Sequence, residues 1–362
     1  MLNTLAQKPR FDADAAEAFA GRAMEIVNTG AAAVMMSLGH RLGLFDQMDA
    51  QPAATSTAIA ARAGLSERYV REWLAVMVTA RIVTFDPATG TYLLPAEHAA
   101  ALTRNGALGN FALYAQHVAL LGAVEARLLR AFHDGGGMSY GDYPCFHQIM
   151  AEDSGQSVTA PLFELVLPLV PGIIPRLEAG IDVLDAGCGR GTALLAMARR
   201  FPRSRFVGYD LAADAIAYAL DQAALAGIRN LHYEQRDLTG FDVDQGFDLI
   251  TSYDAVHDQK DPADFIRRLH RALKPGGVYL MQDIGGSAHL ENNLEFPMAS
   301  LLYAMSCAHC MPISLGQGGA GLGTMWGWET ARRMLEQAGF AGIARHVLPH
   351  DPVNVWFVSE KK

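Results

Sequence analysis

Four stretches place reactive or ligand-binding side chains at the ends of short apolar runs. The first, IDVLDAGCGRGT, spans Ile181 to Thr192. Its apolar run ends at Asp185, and Gly187, Gly189 and Gly191 follow at every second position. A turn this rich in glycine lets a ligand lie against the backbone above a helix N-terminus. Helical spacing (TALLAMARRF) does begin at Thr192. The second stretch, RFVGYD, ends in Asp210, 19 residues past Gly191, where a carboxylate can accept from both hydroxyls of a cofactor ribose. The third carries Asp237 in YEQRDLTGF. The fourth, FDLITSYDAVHD, ends in His257-Asp258, an imidazole that could take a proton beside a carboxylate that could orient it. Cys307-Ala-His309-Cys310 has metal-ligand residue types, but it falls in a predicted helix. There Cys307 and Cys310 share a face and supply at most two or three ligands. No second cysteine pair completes a structural zinc tetrahedron, so no metal is expected. Methionine and cysteine lining an apolar pocket, with His309 pointing into it, is the expected arrangement.

These residues must be positioned by a sheet. From Ile181 the chain alternates IDVLDA, helix, RFVGYD, helix Ala213–Ala226, LHYEQ, FDLITS, helix Pro262–Leu273 and VYLMQD. Such alternation implies a parallel sheet with right-handed crossovers, and ligands then bind beyond the carboxyl ends of the strands. The turn fails the dinucleotide fingerprint G-x-G-x-x-G, because Thr192 stands where the third glycine belongs. After Asp283 the alternation stops. An insertion, 285–328, is partly helical (MASLLYAMSCAHCM) and partly glycine-rich (LGQGGAGLGTMWG). Helix Glu329–Ala338 and two strands, ARHVLP and NVWFVSE, close the chain.

Asp185-x-Gly187-x-Gly189-x-Gly191, Asp210, Asp237 and the passage from FDLITS through Lys274-Pro275-Gly276-Gly277 to VYLMQD together resemble class I S-adenosylmethionine (SAM) methyltransferases. The resemblance implies a Rossmann-like, seven-stranded α/β sheet whose last strand is antiparallel. It implies SAM as cofactor and S-adenosylhomocysteine (SAH) as product. Cofactor contacts are expected from Asp185, Gly187, Gly189, Asp210, Leu211 and Ser252, with Asp237 on the adenine amino group and Leu238 on the ring. Small-molecule O-methyltransferases of the caffeate and hydroxyindole type, which this chain also resembles, have a His-Asp pair in the matching loop. Their histidine deprotonates the acceptor hydroxyl, which marks His257 and Asp258 as catalytic candidates. The tryptophan usual after that pair is Gln259 here.

Before the sheet, Ala15 to Met48 is alanine- and methionine-rich with helical spacing that Gly30, Gly39 and Gly43 interrupt without ending. Next come a helix, a turn at Gly64, and a helix capped by Ser66 with Glu67 in its first turn. Strands RIVTFD and TYLLP follow, joined by Pro87 to Gly90. Helix-turn-helix plus hairpin is a mostly α-helical winged-helix domain. In the O-methyltransferases such a segment mediates dimerisation. The whole chain is similar to bacterial winged-helix SAM-dependent methyltransferases, so a homodimer is expected. The alternatives are a SAM-sensing or DNA-binding transcriptional regulator, and a SAM-fold enzyme of non-methyl chemistry. Nucleic-acid binding is not expected. Residues 1–105 carry nine Lys/Arg against ten Asp/Glu, and a DNA binder shows a basic stripe.

Between the two domains, Asn110 to His133 reads as an apolar helix broken at Gly135-Gly136-Gly137. MSYGDYPCFHQIMAEDS then reads as a loop whose Tyr140, Tyr143 and His147 suit a lid over the acceptor pocket, together with His309 and Trp326. A helix from Val158 to Leu177, bent by Pro161, Pro168 and Pro171, leads into the sheet. The expected domains are 1–105 (winged helix), 106–178 (connector and lid) and 179–362 (cofactor binding).

Length and composition agree. The 362 residues suffice for two domains, and 51% hydrophobic against 19% charged residues builds a large core. A net charge of −9 argues against general nucleic-acid affinity. No apolar run reaches the ~18–20 residues that span a membrane. MLNTLAQKPRFDAD lacks a signal-peptide core, and four irregularly spaced cysteines make no disulfide framework. The expectation is a cytoplasmic protein acting on a small molecule.

Overall fold

A computed structural model describes residues 11–362. Residues 1–10, most of the MLNTLAQKPRFDAD stretch, lie outside the described residues. The chain forms two compact units, one up to Ala119 and one from Leu120 to Lys362.

In the first unit helix Ala13–Arg41 starts at Asp12, whose carboxylate accepts from the Ala15 amide at 3.0 Å. It ends at Arg41, left-handed Gly43 (φ 69°) breaks it, and a helix resumes at Leu44–Met48, so Gly43 interrupts the helical stretch to Met48 as its spacing implied. Helices Ser56–Ala63 and Glu67–Thr79 follow, and left-handed Gly64 closes the first of them. Ser66 stands at the N-cap of the second, but its side chain makes no capping bond. Glu67 instead accepts from the Ser56 hydroxyl at 2.6 Å, tying the two helices together. Strands β1 (Thr84–Asp86) and β2 (Thr91–Leu93) pair antiparallel as the wing. Leu44, Phe45, Ile59, Trp73, Leu74 and Met77 are the buried centre of this unit. The Trp73 indole donates to the Met35 carbonyl at 2.8 Å.

The second unit is built on strands β3 (Asp182–Ala186), β4 (Arg205–Asp210), β5 (Leu231–Gln235), β6 (Phe247–Tyr253), β7 (Leu273–Ile284), β8 (Ala341–Leu348) and β9 (Asp351–Glu360). Their order in the sheet is β5-β4-β3-β6-β7-β9-β8. The pairs among β3 to β7 are parallel, and β9 runs antiparallel to both neighbours, as the resemblance implied. Val183, Leu194, Phe206, Leu249, Leu280 and Trp356 fill one face of the sheet; Leu184, Ile250, Phe265, Tyr279, Met281 and Phe357 fill the other. Helix Pro262–Ala272 starts with Pro262 in its first turn, and the Asp261 carboxylate accepts from the Asp264 amide at 2.9 Å. β3 pairs with both β4 and β6, so the strand order reverses there, which is where open α/β sheets bind ligands.

Two expectations for residues 138–177 need correction. The Tyr140–His147 segment is not wholly loop. It has a 3-10 turn at Tyr140–Asp142, and Phe146 starts a helix to Ser154. The helix expected from Val158 to Leu177 is discontinuous. It divides into π-type turns Gly155–Thr159 and Leu162–Val166, a 3-10 turn Leu167–Leu169 and a helix Ile173–Ala179. The prolines supply no amide hydrogen and their rings crowd the preceding turn, so the bonds re-register.

Candidate active site

The glycine turn leaves β3 and is pinned from two sides. A Cβ on Gly187 would meet the Ala255 methyl at 2.6 Å, and one on Gly191 would collide with the Tyr233 hydroxyl, which donates to the Gly191 carbonyl at 2.6 Å. Gly189 is different, with a φ of 53° and open space where its Cβ would stand. A ligand can therefore lie against the backbone at Gly189. Asp210, at the end of β4, accepts from the Gly189 amide at 2.7 Å and the Ala212 amide at 2.8 Å. Burial raises its pKa, and these two amides oppose the rise. The turn and this carboxylate are thus tied together at the carboxyl ends of β3 and β4.

The remaining cofactor candidates divide by environment. Leu238 is buried, while Leu211 and Asp237 are exposed, and Asp237 accepts from the Thr239 amide at 2.7 Å. Asp185 is buried and accepts from the Thr251 hydroxyl at 2.8 Å; burial pushes its pKa up to about 7. Ser252 is fully buried and its hydroxyl is engaged with the Tyr279 hydroxyl at 2.6 Å. Both side chains are hydrogen-bonded within the sheet.

His257 follows β6 and is 1% exposed. Its Nδ1 lies 2.7 Å from Asp283 Oδ1 at the end of β7, whereas its Nε2 lies 3.5 Å from Asp258 Oδ1. The carboxylate that orients the imidazole is therefore Asp283, in place of the adjacent Asp258. The same Asp283 oxygen accepts from the Trp326 indole at 3.0 Å and from the Ile284 amide at 2.8 Å. Trp326, expected in the acceptor pocket, is 5% exposed and braces the histidine through Asp283. Burial would lower the imidazole pKa, but Asp283 and Asp258 outweigh it and hold it well above the ordinary 6.5. Asp254, beside this group, is pushed by burial up to about 7.

The aromatic residues expected over the pocket do meet. Tyr140 donates to Asp258 Oδ2 at 3.3 Å. Tyr143 donates to the Ala308 carbonyl at 2.7 Å. His309 stacks on Phe146 with ring centres 3.8 Å apart and meets the Tyr143 ring edge at 4.6 Å. His147 meets the Tyr140 ring at 5.2 Å and places its Nδ1 3.0 Å from Asp214 Oδ2 at the start of helix Ala213–Leu225. Cys310 is buried, and Thr324 donates to its sulfur at 3.0 Å. Ser306–Cys310 forms a π-type turn within the insertion.

Sequence reasoning passed over Asp283, Asp254 and Cys310 as members of the His257 cluster. A signal for Asp283 was present: it ends an apolar strand, just as Asp185 and Asp210 do.

Comparison with known proteins agrees with this architecture. Residues 30–104 match the family model of the Rv2258c-like winged HTH domain, and residues 177–339 match that of a methyltransferase domain. Phosphoethanolamine N-methyltransferase 3 of Arabidopsis thaliana is 40% identical over 110 residues, 30% of this chain and 22% of that protein. Trans-aconitate 2-methyltransferase of Deinococcus radiodurans is 32% identical over 113 residues, 31% of this chain and 42% of that protein. The chain thus spans well under half the length of either curated relative. Human N-acetylserotonin methyltransferase, solved in complex with SAM, has the same fold with a TM-score of 0.65 at 16% identity, over 98% of this chain and 99% of that one. The chain joins a winged HTH domain to a methyltransferase domain. No helix of the described residues is long and apolar enough to cross a membrane.

Proposed function

We propose that this protein, a methyltransferase domain preceded by a winged HTH domain, transfers a methyl group from SAM to a hydroxyl of a small, partly apolar acceptor. The observation that carries the reading is the buried His257 imidazole, fixed by Asp283 at the carboxyl edge of the sheet, four residues after a strand beside the glycine turn.

Asp210 would hold the ribose hydroxyls, Asp237 the adenine amino group, and Leu238 the ring face. The open backbone at Gly189 takes the cofactor's bulk. SAM, when bound, supplies an electrophilic methyl on a good leaving group. The chain's own residues must exclude water, align the acceptor and accept its proton. His257 Nε2 takes that proton while Asp283 keeps hold of Nδ1. Trp326 and the Ile284 amide stop Asp283 from turning away. The Tyr140, Tyr143, Phe146 and His309 rings give an apolar acceptor its walls.

The base works only when neutral, and Asp283 holds its pKa above 6.5. The expected acid limb of the kcat/KM profile therefore lies above pH 6.5, with activity rising as pH rises through it. Asp283→Asn removes the charge that favours the imidazolium, so the limb should move to lower pH while the maximal rate falls. A limb that stays in place in this variant contradicts the pairing.

The regulator alternative is not adopted. On helix Glu67–Thr79, Arg68 is paired with Glu72 and Arg71 with Glu67, at 3.5 Å for the second pair, so the helix offers no unbalanced basic stripe.

A homodimer is also proposed. Phe19, Met24 and Val27 on helix Ala13–Arg41 are each more than two-thirds exposed. Leu129 and Phe132, on helix Phe111–Asp134, are also exposed. Apolar faces of this size call for a partner, and an obligate interface buries about 2,000 Å² or more in total. Light scattering at micromolar concentration should give twice the chain mass of 39.0 kDa, and a monomer would refute the assembly.

A further inference from the structure

We propose that Nε2 of His257, a carboxylate oxygen of Asp258 and the sulfur of Cys310 form a binding site for one zinc-class divalent cation, with the fourth position open. The inference does not depend on the proposed methyl transfer, because it concerns only what these three side chains bind.

One donor atom from each residue lies within 4.8 Å of the others, and all three residues are buried. The donors differ in kind: one imidazole nitrogen, one carboxylate oxygen and one sulfur. That set suits a borderline-soft cation and not magnesium or calcium, which prefer oxygen alone. Zinc bonds of about 2.0–2.2 Å to nitrogen and oxygen place tetrahedral neighbours about 3.3 Å apart. His257 Nε2 and Asp258 Oδ1 stand 3.5 Å apart, so little movement is needed. Asp258 Oδ1 is buried and makes no well-formed hydrogen bond, its facing nitrogen His257 Nε2 standing at 3.5 Å, and a cation between the two would satisfy both.

Each ligand is also held from behind. His257 has Asp283 on its other nitrogen at 2.7 Å, the carboxylate–histidine arrangement that orients metal-binding imidazoles. Asp258 receives the Tyr140 hydroxyl on its other oxygen at 3.3 Å, and Cys310 receives the Thr324 hydroxyl at 3.0 Å. Asp254 and Asp283 form a second cluster on the Nδ1 side of the same histidine. There the short bond to Asp283 already occupies the nitrogen, so the cation goes to the Nε2 side. This set is not the Cys307-Ala-His309-Cys310 stretch, where no metal was expected. Only Cys310 faces the cluster, and its remaining partners come from the loop after β6.

Binding balances in charge and protons. The Cys310 thiol loses its proton to solvent as the metal–sulfur bond forms, and an imidazolium at His257 loses the Nε2 proton. Apparent affinity therefore rises with pH, by up to about 100-fold per pH unit while both protons are present. With Nε2 ligated, His257 cannot act as a base, so a bound zinc ion suppresses any transfer that needs it.

The test is a Co²⁺ titration of full-length, chelator-treated protein followed by near-UV and visible absorption, with Zn²⁺ competition for affinity. One Co²⁺ per chain is expected, with a thiolate-to-cobalt charge-transfer band. Cys310→Ser should abolish the band and weaken Zn²⁺ by more than the roughly 10–100-fold that loss of an outer partner costs. Cys307→Ser should leave both unchanged. Circular dichroism and SAH binding check that each variant is folded. X-ray absorption of the zinc-loaded wild type should show one sulfur and otherwise nitrogen and oxygen. A band that survives Cys310→Ser, a band that needs Cys307, two sulfurs on the zinc, or no saturable binding would each overturn the proposal.

Discussion

His257→Ala should lower the single-turnover rate of methyl transfer to a hydroxyl acceptor by about 10²–10⁴-fold, the usual contribution of a positioned base. SAM affinity should stay within about twofold, because the glycine turn and Asp210 do not touch the imidazole. The geometry makes the expectation specific. The ring is fully enclosed, its Nδ1 is fixed at 2.7 Å by Asp283, and Asp283 is itself held by Trp326 and the Ile284 amide. Among the described residues, the two histidines of the aromatic group have other engagements. His147 is committed to Asp214, and His309 is stacked between Phe146 and Tyr143. If the acceptor atom were instead a thiolate or a free amine, no proton would need to leave through His257. The loss would then be small and would fall mostly on KM. Assays should include a chelator, so that metal at Nε2 does not mask the base.

Asp210→Ala should weaken SAM and SAH binding by roughly 1.5–3 kcal/mol, about 10–150-fold, because it leaves the ribose hydroxyls without a charged acceptor. The same truncation releases the Gly189 amide, which Asp210 holds at 2.7 Å, so the turn also loses a support. Calorimetry with SAH measures both effects without needing the acceptor. Affinity unchanged within twofold would remove Asp210 from the cofactor site.

The fold was legible because its determinants are local. Alternating apolar runs and helical spacing from Ile181 onward specify parallel strands, and the glycine spacing specifies the turn at β3. The wing was legible for the same reason, since Pro87 to Gly90 can only turn. The failures have physical causes. Phe146 starts a helix to Ser154 inside a segment whose aromatic and glycine content reads as loop. Pro161 and Pro168 re-register backbone bonds into π-type and 3-10 turns, a change the pattern of side chains cannot reveal.

The candidate site was legible only where one short segment carries it. Asp185, the glycines and Asp210 lie at the ends of adjacent strands, so sequence order gives their neighbourhood. Asp283 reaches His257 across 26 residues, and Trp326 reaches Asp283 across 43, from an insertion that has no periodic pattern. The adjacency of His257 and Asp258 in sequence suggested the wrong orienting carboxylate. Consecutive residues after a strand point in different directions, and the one that meets Nδ1 comes from the neighbouring strand. Cys310 was read with Cys307 because they lie three apart. In the folded chain its neighbours are His257, Asp258 and Thr324.

The most direct test is single-turnover transfer from methyl-labelled SAM to a panel of phenols, thiols and amines, read by mass spectrometry in the wild type and in His257→Ala. The predicted result is label on a hydroxyl oxygen in the wild type and a loss of at least about 100-fold in the variant. Label on a phenol at equal rates in both proteins, or SAM bound with no label leaving it for any acceptor, would contradict the account.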